Sequence, residues 1–267
     1  MRILVTGGAG YIGSHTCKEL ASNGFEPIVF DNLSTGYKEF VKWGPLEIGD
    51  LRDYSRVENL FSKYNFEGVI HFAAKAYVYE SVINPIDYFE NNISGSINLL
   101  KNIKKNRIKN VIFSSSCATY GNIQELPIQE SQKQDPINPY GFTKFATERL
   151  LDYLAANDEI NYGILRYFNA AGSDSAGEIG ESHNPETHII PNALENAING
   201  QIFKVFGYDY ATEDGTAIRD YVHVSDLARA HVLALKHIKE KNTNLVLNLG
   251  SGKGVSNLEI VNEIRKI

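Results

Sequence analysis

The chain has 267 residues, 43% hydrophobic and 22% charged, with a formal net charge of -6. That composition suits a soluble globular protein with room for one large domain, or one domain and a smaller lobe. The acidic balance points away from a nucleic-acid or anionic-membrane partner, and no apolar run is long enough to span a bilayer. Cys17 and Cys117 stand far apart, outside any CxxC or Cys/His spacing, so they indicate a reducing compartment with the cytoplasm as default rather than a disulfide scaffold. Met1 leads directly into a strand-like segment, which leaves no signal peptide.

In chain order, apolar runs predict strands over Arg2–Thr6, Glu26–Asp31, Leu46–Asp50, Gly68–Ala73, Asn110–Ser116, Tyr162–Phe168 and Leu245–Leu249. Runs such as Val69-Ile70-His71-Phe72-Ala73 do not alternate with polar residues, as expected of strands buried on both faces of a parallel sheet. Helical patterns fill the gaps over Tyr11–Asn23, Tyr54–Tyr64, Pro85–Lys105 and Pro139–Asn157. This succession implies right-handed βαβ units and an α/β, doubly wound parallel sheet of Rossmann type.

After Asn169 the texture changes. Gly172–Glu186 reads as a loop, followed by a helix near His188–Asn199, a strand near Phe203–Val205, a polar loop over Gly207–Thr216 and a helix over Val224–His237. The expected division is a nucleotide-binding domain over 1–169 and a smaller, incomplete substrate lobe over 170–267, with the strand near 245–249 returning to the main sheet. Ser256 and Glu259 have capping-box spacing. A helix that opens there and runs to Ile267 suggests a native chain continuing past that residue.

Thr6-Gly7-Gly8-Ala9-Gly10-Tyr11-Ile12-Gly13 sits between the first strand and the first helix. Gly7, Gly10 and Gly13 have dinucleotide-fold spacing, and Gly8, Gly10 and Gly13 also satisfy GxGxxG. Such glycines permit a tight turn, a close backbone approach to a pyrophosphate and close helix–sheet packing. The helix N-terminus then offers amides and a positive dipole end to phosphate. The second strand ends in Asp31, about 20 residues on, where a carboxylate accepts ribose hydroxyls and repels a 2′-phosphate. That favours NAD over NADP.

Tyr140-Gly-Phe-Thr-Lys144 places Tyr140 and Lys144 one helical turn apart on a shared face. An ammonium beside the phenol is expected to lower its pKa from about 10 toward neutrality, suiting Tyr140 to exchange a proton with a sugar hydroxyl. Alone, Tyr-x-x-x-Lys is a common accident on helices. Ser114-Ser115-Ser116, at the carboxyl end of a predicted strand, adds a hydroxyl where parallel sheets present groups to ligands. Ser116 is the candidate for positioning the reacting hydroxyl.

These motifs resemble the extended short-chain dehydrogenase/reductases and, within them, the UDP-glucose 4-epimerase family. The resemblance is carried by Val5–His15, Phe30–Leu33, Gly49–Leu51, Val69–Ala74, Asn91-Asn92, Phe113–Gly121, Pro139–Lys144, Leu165–Asn169 and Glu213–His223. It implies that Tyr11 and Ile12 meet the pyrophosphate, Asp31 and Asn32 the adenosine ribose, and Asp50 and Leu51 the adenine. Phe72, Ala73, Ala74 and Asn91 would line the cofactor cleft, Lys144 would also hold the nicotinamide ribose, and Phe168 would lie near the nicotinamide. Asn169, Val205, Phe206 and Arg219 would contact the UDP-sugar, with the planar fork of Arg219 on its diphosphate. The alternative for Arg219 is a surface ion pair with Asp220. Lys75 and His188 depart from the family pattern and receive no role.

The implied activity is inversion of C4 of a UDP-hexose, UDP-glucose to UDP-galactose, by transient oxidation with bound NAD. A UDP-N-acetylhexosamine or UDP-pentose is the alternative substrate. A nucleotide-sugar dehydratase would need an acid beside Ser116, where Cys117 and Ala118 stand; a non-catalytic NAD-binding protein could dispense with the tyrosine–lysine pair. The helices over Pro85–Lys105 and Pro139–Asn157 resemble those that pair in homodimeric relatives. No metal site is expected, since the spacing of His183 and His188 around a loop–helix boundary fits solvation or capping better than zinc.

Overall fold

The computed structural model describes residues 1–123 and 125–266. Its strands are β1 (Arg2–Thr6), β2 (Glu26–Asp31), β3 (Leu46–Ile48), β4 (Gly68–His71), β5 (Asn110–Ser116), β6 (Asn161–Tyr167), β7 (Asn169–Ala171), β8 (Ile218–His223), β9 (Leu245–Leu249) and β10 (Gly254–Ser256). Its helices are α1 (Tyr11–Ser22), α2 (Tyr54–Lys63), α3 (Val78–Ile83), α4 (Pro85–Tyr88), α5 (Gly95–Lys105), α6 (Pro139–Ala156), α7 (Ile189–Ile198), α8 (Val224–Lys241) and α9 (Asn257–Ile264).

A parallel sheet of order β3-β2-β1-β4-β5-β6-β9 is the centre of the fold. Side chains alternate across it because successive residues of a strand point to opposite faces. Ile3, Val5, Val29, Ile70, Ile112 and Leu165 pack with Leu20 of α1 and Leu227, Val232, Leu235 and Ile238 of α8. On the other face, Leu4, Ile28, Val69, Val111 and Ile164 pack with Leu60 of α2, Leu99 and Ile103 of α5 and Leu151 of α6. Both faces are therefore core, which is why the strands carry unbroken apolar runs.

Strand order reverses between β1 and β4, opening a crevice at their carboxyl ends. Two strands are shorter than predicted for local reasons. Asp50 leaves β3 because its carboxylate accepts the Arg52 amide at 2.8 Å. Beyond β4, Phe72 and Ala73 both donate to the Thr6 carbonyl, at 3.0 and 3.1 Å, which curls the chain over the end of β1.

The helix expected over Pro85–Lys105 contains a π-helical segment, Phe89–Ser94, between α4 and α5. Helices with π turns often serve functional sites; here Asn92 lies within it. The strand expected over Phe203–Val205 does not form. Ile202 and Phe206 beside it are 86% and 81% exposed, so the run has no layer to bury against. Instead β7, β8 and β10 build a small second sheet, with β8 parallel to β7 and antiparallel to β10. Helix α8 runs to Lys241, beyond the expected His237. The Ser256–Glu259 capping box is present at the start of α9; Ile267 lies outside the described residues.

Candidate active site

Ser116 is the last residue of β5, buried, and its Oγ accepts the Ala118 amide at 3.1 Å in the turn that follows. Helix α6 begins with Pro139 at its first position, and the Asn138 side chain accepts the Gly141 amide at 2.8 Å. Gly141 sits against that turn: a Cβ there would lie 2.5 Å from the Ala118 carbonyl oxygen. Only glycine lets α6 approach this closely, and the approach brings Tyr140 to Ser116. One turn on, the buried Lys144 donates from Nζ to the Ser114 carbonyl at 2.8 Å, and its Nζ lies 5.9 Å from the Tyr140 ring centre. The three predicted catalytic residues therefore meet.

Their electrostatics differ from the expectation. Burial pushes the Tyr140 phenol up to about 12, although the nearby Ser116 hydroxyl draws it back. Burial also pushes Lys144 down to about 7, opposed by the Glu148 carboxylate one turn further along α6. Desolvation of both groups outweighs any help from the ammonium, so the chain's own groups do not bring Tyr140 toward neutrality. Cys117 is pushed up to about 11, chiefly by burial, which leaves it a protonated packing residue near neutral pH.

Beneath this trio lies a polar network. Arg166 Nη2 meets Glu148 Oε2 at 2.6 Å, with side chains 4% and 0% exposed. Ser115 donates to the same carboxylate, and Arg166 reaches the Tyr120 hydroxyl at 2.8 Å. Asn92 Nδ2 donates to the Lys75 carbonyl and to Thr143 Oγ1, both at 3.0 Å, fastening the cleft wall to α6. His71 bonds Thr6 at 2.7 Å and Ser96 at 2.8 Å, and burial holds its pKa down at about 3, so it stays neutral. None of these supports was singled out from the sequence. A signal existed for Glu148, which follows Lys144 at helical i, i+4 spacing, and for Arg166 and Asn92, which lie inside the stretches carrying the family resemblance.

The glycine turn occupies the crevice as expected. Gly7 donates to the Phe30 carbonyl at 2.9 Å, and no side chain caps α1. A Cβ on Gly13 would lie 2.2 Å from the Gly7 carbonyl oxygen, so the turn and α1 pack this closely only with glycine there. Gly10 is the N-cap, and Tyr11 and Ile12 open the helix with their amides at its positive end. Asp31 accepts the Ala9 and Leu33 amides, at 3.0 and 2.8 Å, so it builds the turn as well as ending β2. Asn32 donates to Asp50 at 3.0 Å, and the Arg52 guanidinium holds the Asp50 carboxyl below its usual range. Leu51 is buried beside Gly95.

Ala73, Ala74 and Lys144 line one small cavity together with His71 and Asn92. Phe72, expected in the cleft, instead turns its ring to the opposite face, 4.6 Å from that of His231 on α8, because that face buries it. Asn91 lies in the π segment and donates to the cavity-lining Asn92 at 2.9 Å. Phe168 packs near Gly250, and Asn169 donates to the Asp220 carbonyl at 3.0 Å. Val205 and Phe206 lie on irregular, largely exposed chain. Arg219 on β8 is exposed, with Nη1 on the Ile218 carbonyl at 2.8 Å, and its charge is felt at Cys117 beside Ser116. The alternative ion pair with Asp220 is absent among the described residues; Asp220 accepts from Ser251 and Gly252 instead. Lys75 pairs with Glu80 at 3.1 Å and faces the Tyr88 ring.

Comparison with known proteins agrees with this geometry. Residues 3–250 match the NAD dependent epimerase/dehydratase family. The chain is 48% identical to the UDP-glucose 4-epimerase of Rhizobium leguminosarum bv. trifolii, over 99% of this chain and 81% of that protein. It superposes on the UDP-glucose 4-epimerase of Brucella ovis, solved with NAD, with a TM-score of 0.96 and 52% identity, covering 100% of this chain and 82% of that one. The enzyme from Bifidobacterium longum, solved with NAD+ and UDP, gives 0.93 and 38%, covering 100% and 83%. Fold, glycine turn, serine–tyrosine–lysine site and sequence identity agree: the chain belongs to the UDP-glucose 4-epimerase family.

Proposed function

We propose that this chain inverts C4 of a UDP-hexose, interconverting UDP-glucose and UDP-galactose. The observation that carries this is the docking of α6 on the Ala118 turn, which sets Tyr140 at Ser116 with Lys144 one turn behind. The crevice fits NAD on features of the chain itself: an uncapped α1, the glycine-tight turn and a carboxylate ending β2. When bound, NAD supplies the acceptor and donor of the C4 hydride, through a transient 4-keto sugar.

The protein's part is proton transfer and positioning. Tyr140 takes the proton of the sugar 4-hydroxyl as the carbonyl forms and returns it as the carbonyl is reduced. Ser116 orients that hydroxyl. Lys144 holds the ribose and stands as the cation closest to the developing phenolate. Ala73, Ala74, Asn91 and Phe168 shape the cofactor cleft, with Tyr11, Ile12, Asp31, Asn32, Asp50 and Leu51 on its nucleotide side, while Phe72 packs behind it against α8. Asn169, Val205, Phe206 and Arg219 receive the UDP-sugar.

Residues 1–169 form the NAD-binding body and 170–267 mainly the sugar lobe, with β9 returning to the main sheet; pairing of β9 with β6 supports that return, whereas α8, expected in the lobe, packs on α1. A homodimer is supported by the apolar face of Val82, Ile83, Ile86, Phe89 and Phe142, where Phe89 and Phe142 stack with ring centres 5.6 Å apart. Sedimentation showing only monomer would remove it. The free thiols Cys17 and Cys117 support a cytoplasmic setting.

Incubation with NAD and UDP-glucose tests the activity. Accumulation of UDP-galactose to an equilibrium mixture is expected. A persistent 4-keto-6-deoxy sugar would mean a dehydratase, and cofactor binding without turnover of any UDP-sugar a non-catalytic protein. Parallel assays on UDP-N-acetylgalactosamine and UDP-xylose separate the alternative substrates.

A further inference from the structure

The segment Glu181-Ser-His-Asn-Pro-Glu-Thr-His188 alternates carboxylates and imidazoles on the way into α7. Spacing alone says little about it, because the segment is irregular. The tertiary structure folds it back on itself. One donor atom each from Glu181, His183, Glu186 and His188 lie within 4.8 Å of one another. His188 Nδ1 is 2.9 Å from Glu186 Oε1 and 3.0 Å from Glu181 Oε1. His183 Nδ1 is 3.3 Å from Glu186 Oε2 and 3.6 Å from Glu181 Oε1. A tetrahedral zinc ion with bonds of about 2.0–2.1 Å places its ligands about 3.3 Å apart, and the observed spacings bracket that edge.

A second observation is independent of the clustering. The Glu181 side chain is only 9% exposed, and its Oε1 accepts no hydrogen bond among the described residues. A buried carboxylate oxygen without a partner is costly. His188 Nδ1, 3.0 Å away, pairs with this oxygen by charge, while its single proton is aligned on Glu186 Oε1. Glu186 is itself fixed by the Thr187 and His188 amides, both 2.8 Å from Oε1, which leaves its Oε2 facing His183. The orphaned oxygen of Glu181 therefore points into a ring of donors already held in place.

We propose that Glu181, His183, Glu186 and His188 form a binding site for a zinc-class divalent cation. Two imidazoles with two carboxylates select zinc, or cobalt in its place, over magnesium, which prefers an all-oxygen octahedron. The ion neutralises the two carboxylates and gives Glu181 Oε1 its partner. It also closes the loop against the cofactor side of the cleft. Tyr11 at the head of α1 donates to the Gly172 carbonyl at 2.5 Å, and the Tyr11 and Tyr77 rings lie 6.2 and 6.1 Å from that of His183. The bound ion thus clamps the loop that crosses in front of the glycine turn.

The test uses the whole chain, stripped with a chelator and titrated with Zn(II) against a chromophoric chelator, with Mg(II) in parallel. One equivalent of zinc should bind, with no uptake of magnesium, and Co(II) should give the intense visible absorption of a tetrahedral site. Glu181→Gln and His183→Ala, each first shown by circular dichroism to fold, should weaken zinc binding by about tenfold or more. Two variants are used so that a folding failure in one leaves the other decisive. Absence of stoichiometric zinc binding would overturn the proposal in favour of histidine–carboxylate ion pairs. So would a weak octahedral cobalt spectrum, or wild-type affinity in a folded variant.

Discussion

The two sides of the cleft are built differently. On the proposed acid–base side, Ser116 and Lys144 are buried, Tyr140 is partly covered, and all three stand on a strand end and a helix braced by the Glu148–Arg166 pair. On the side proposed to receive the sugar, Phe206 is 81% exposed, Arg219 is solvent-facing, and the chain between α7 and β8 has no regular structure. A group that moves protons must be held within a fraction of an ångström before substrate arrives. Groups that only grip a flexible diphosphate can stay solvated until the ligand supplies their partners. The first side should therefore respond to substitution through rate or stability, and the second through binding.

The largest expected effect is that of Tyr140→Phe, which keeps the ring and removes the proton carrier. Turnover should fall by about 10²–10⁴-fold, while NAD released on denaturation and quantified by absorbance stays near one per chain. Near-normal epimerisation by a verified variant would break the assignment at its centre. Next comes Glu148→Gln. It leaves the buried Arg166 charge uncompensated and should cost about 3–5 kcal/mol in urea unfolding; a loss under 1 kcal/mol, roughly what a surface pair contributes, would show that the acid–base side is not braced as described.

Arg219→Ala sharpens the other half of the comparison. Loss of a charged hydrogen bond to the diphosphate, worth about 1.5–3 kcal/mol, should raise the KM for UDP-sugar at least roughly tenfold, with unfolding free energy changed by less than about 0.5 kcal/mol. If stability fell and KM did not, Arg219 would be a structural residue. The last effect, small only when read per pH unit, is a pH slope. Lys144 is held down at about 7 from an ordinary 10.5, so the unfolded chain binds its proton more readily across that window. Stability of the cofactor-free protein should gain from this residue as pH rises from about 7 to 10.5, by at most about 1.4 kcal/mol per pH unit. Lys144→Met should remove that part of the slope, and an unchanged profile would contradict the burial of the ammonium.

Legibility followed the same division. The sheet could be read because β1, β2, β4 and β5 are buried on both faces and show it as unbroken apolar runs. Tyr140, Lys144 and the glycine turn could be read because their spacings are local, set by helical pitch and one tight turn. The strand expected over Phe203–Val205 failed because an apolar run forms a strand only beside an edge that can pair with it. The small sheet of β7, β8 and β10 escaped notice for the complementary reason: its partners are far apart in sequence, with Asn169 opposite Tyr221 and Val255 opposite Arg219.

Sequence by itself determined the Rossmann order of elements and the glycine turn, and it put forward the serine, tyrosine and lysine, since each rests on short-range pattern. Tertiary structure alone decided how those groups are charged. The expected ammonium-assisted phenol gave way to a phenol pushed up and a lysine pushed down, because desolvation depends on what surrounds a group in space. It also decided that Glu181, His183, Glu186 and His188 converge, because an irregular segment has no period from which the direction of its side chains can be read.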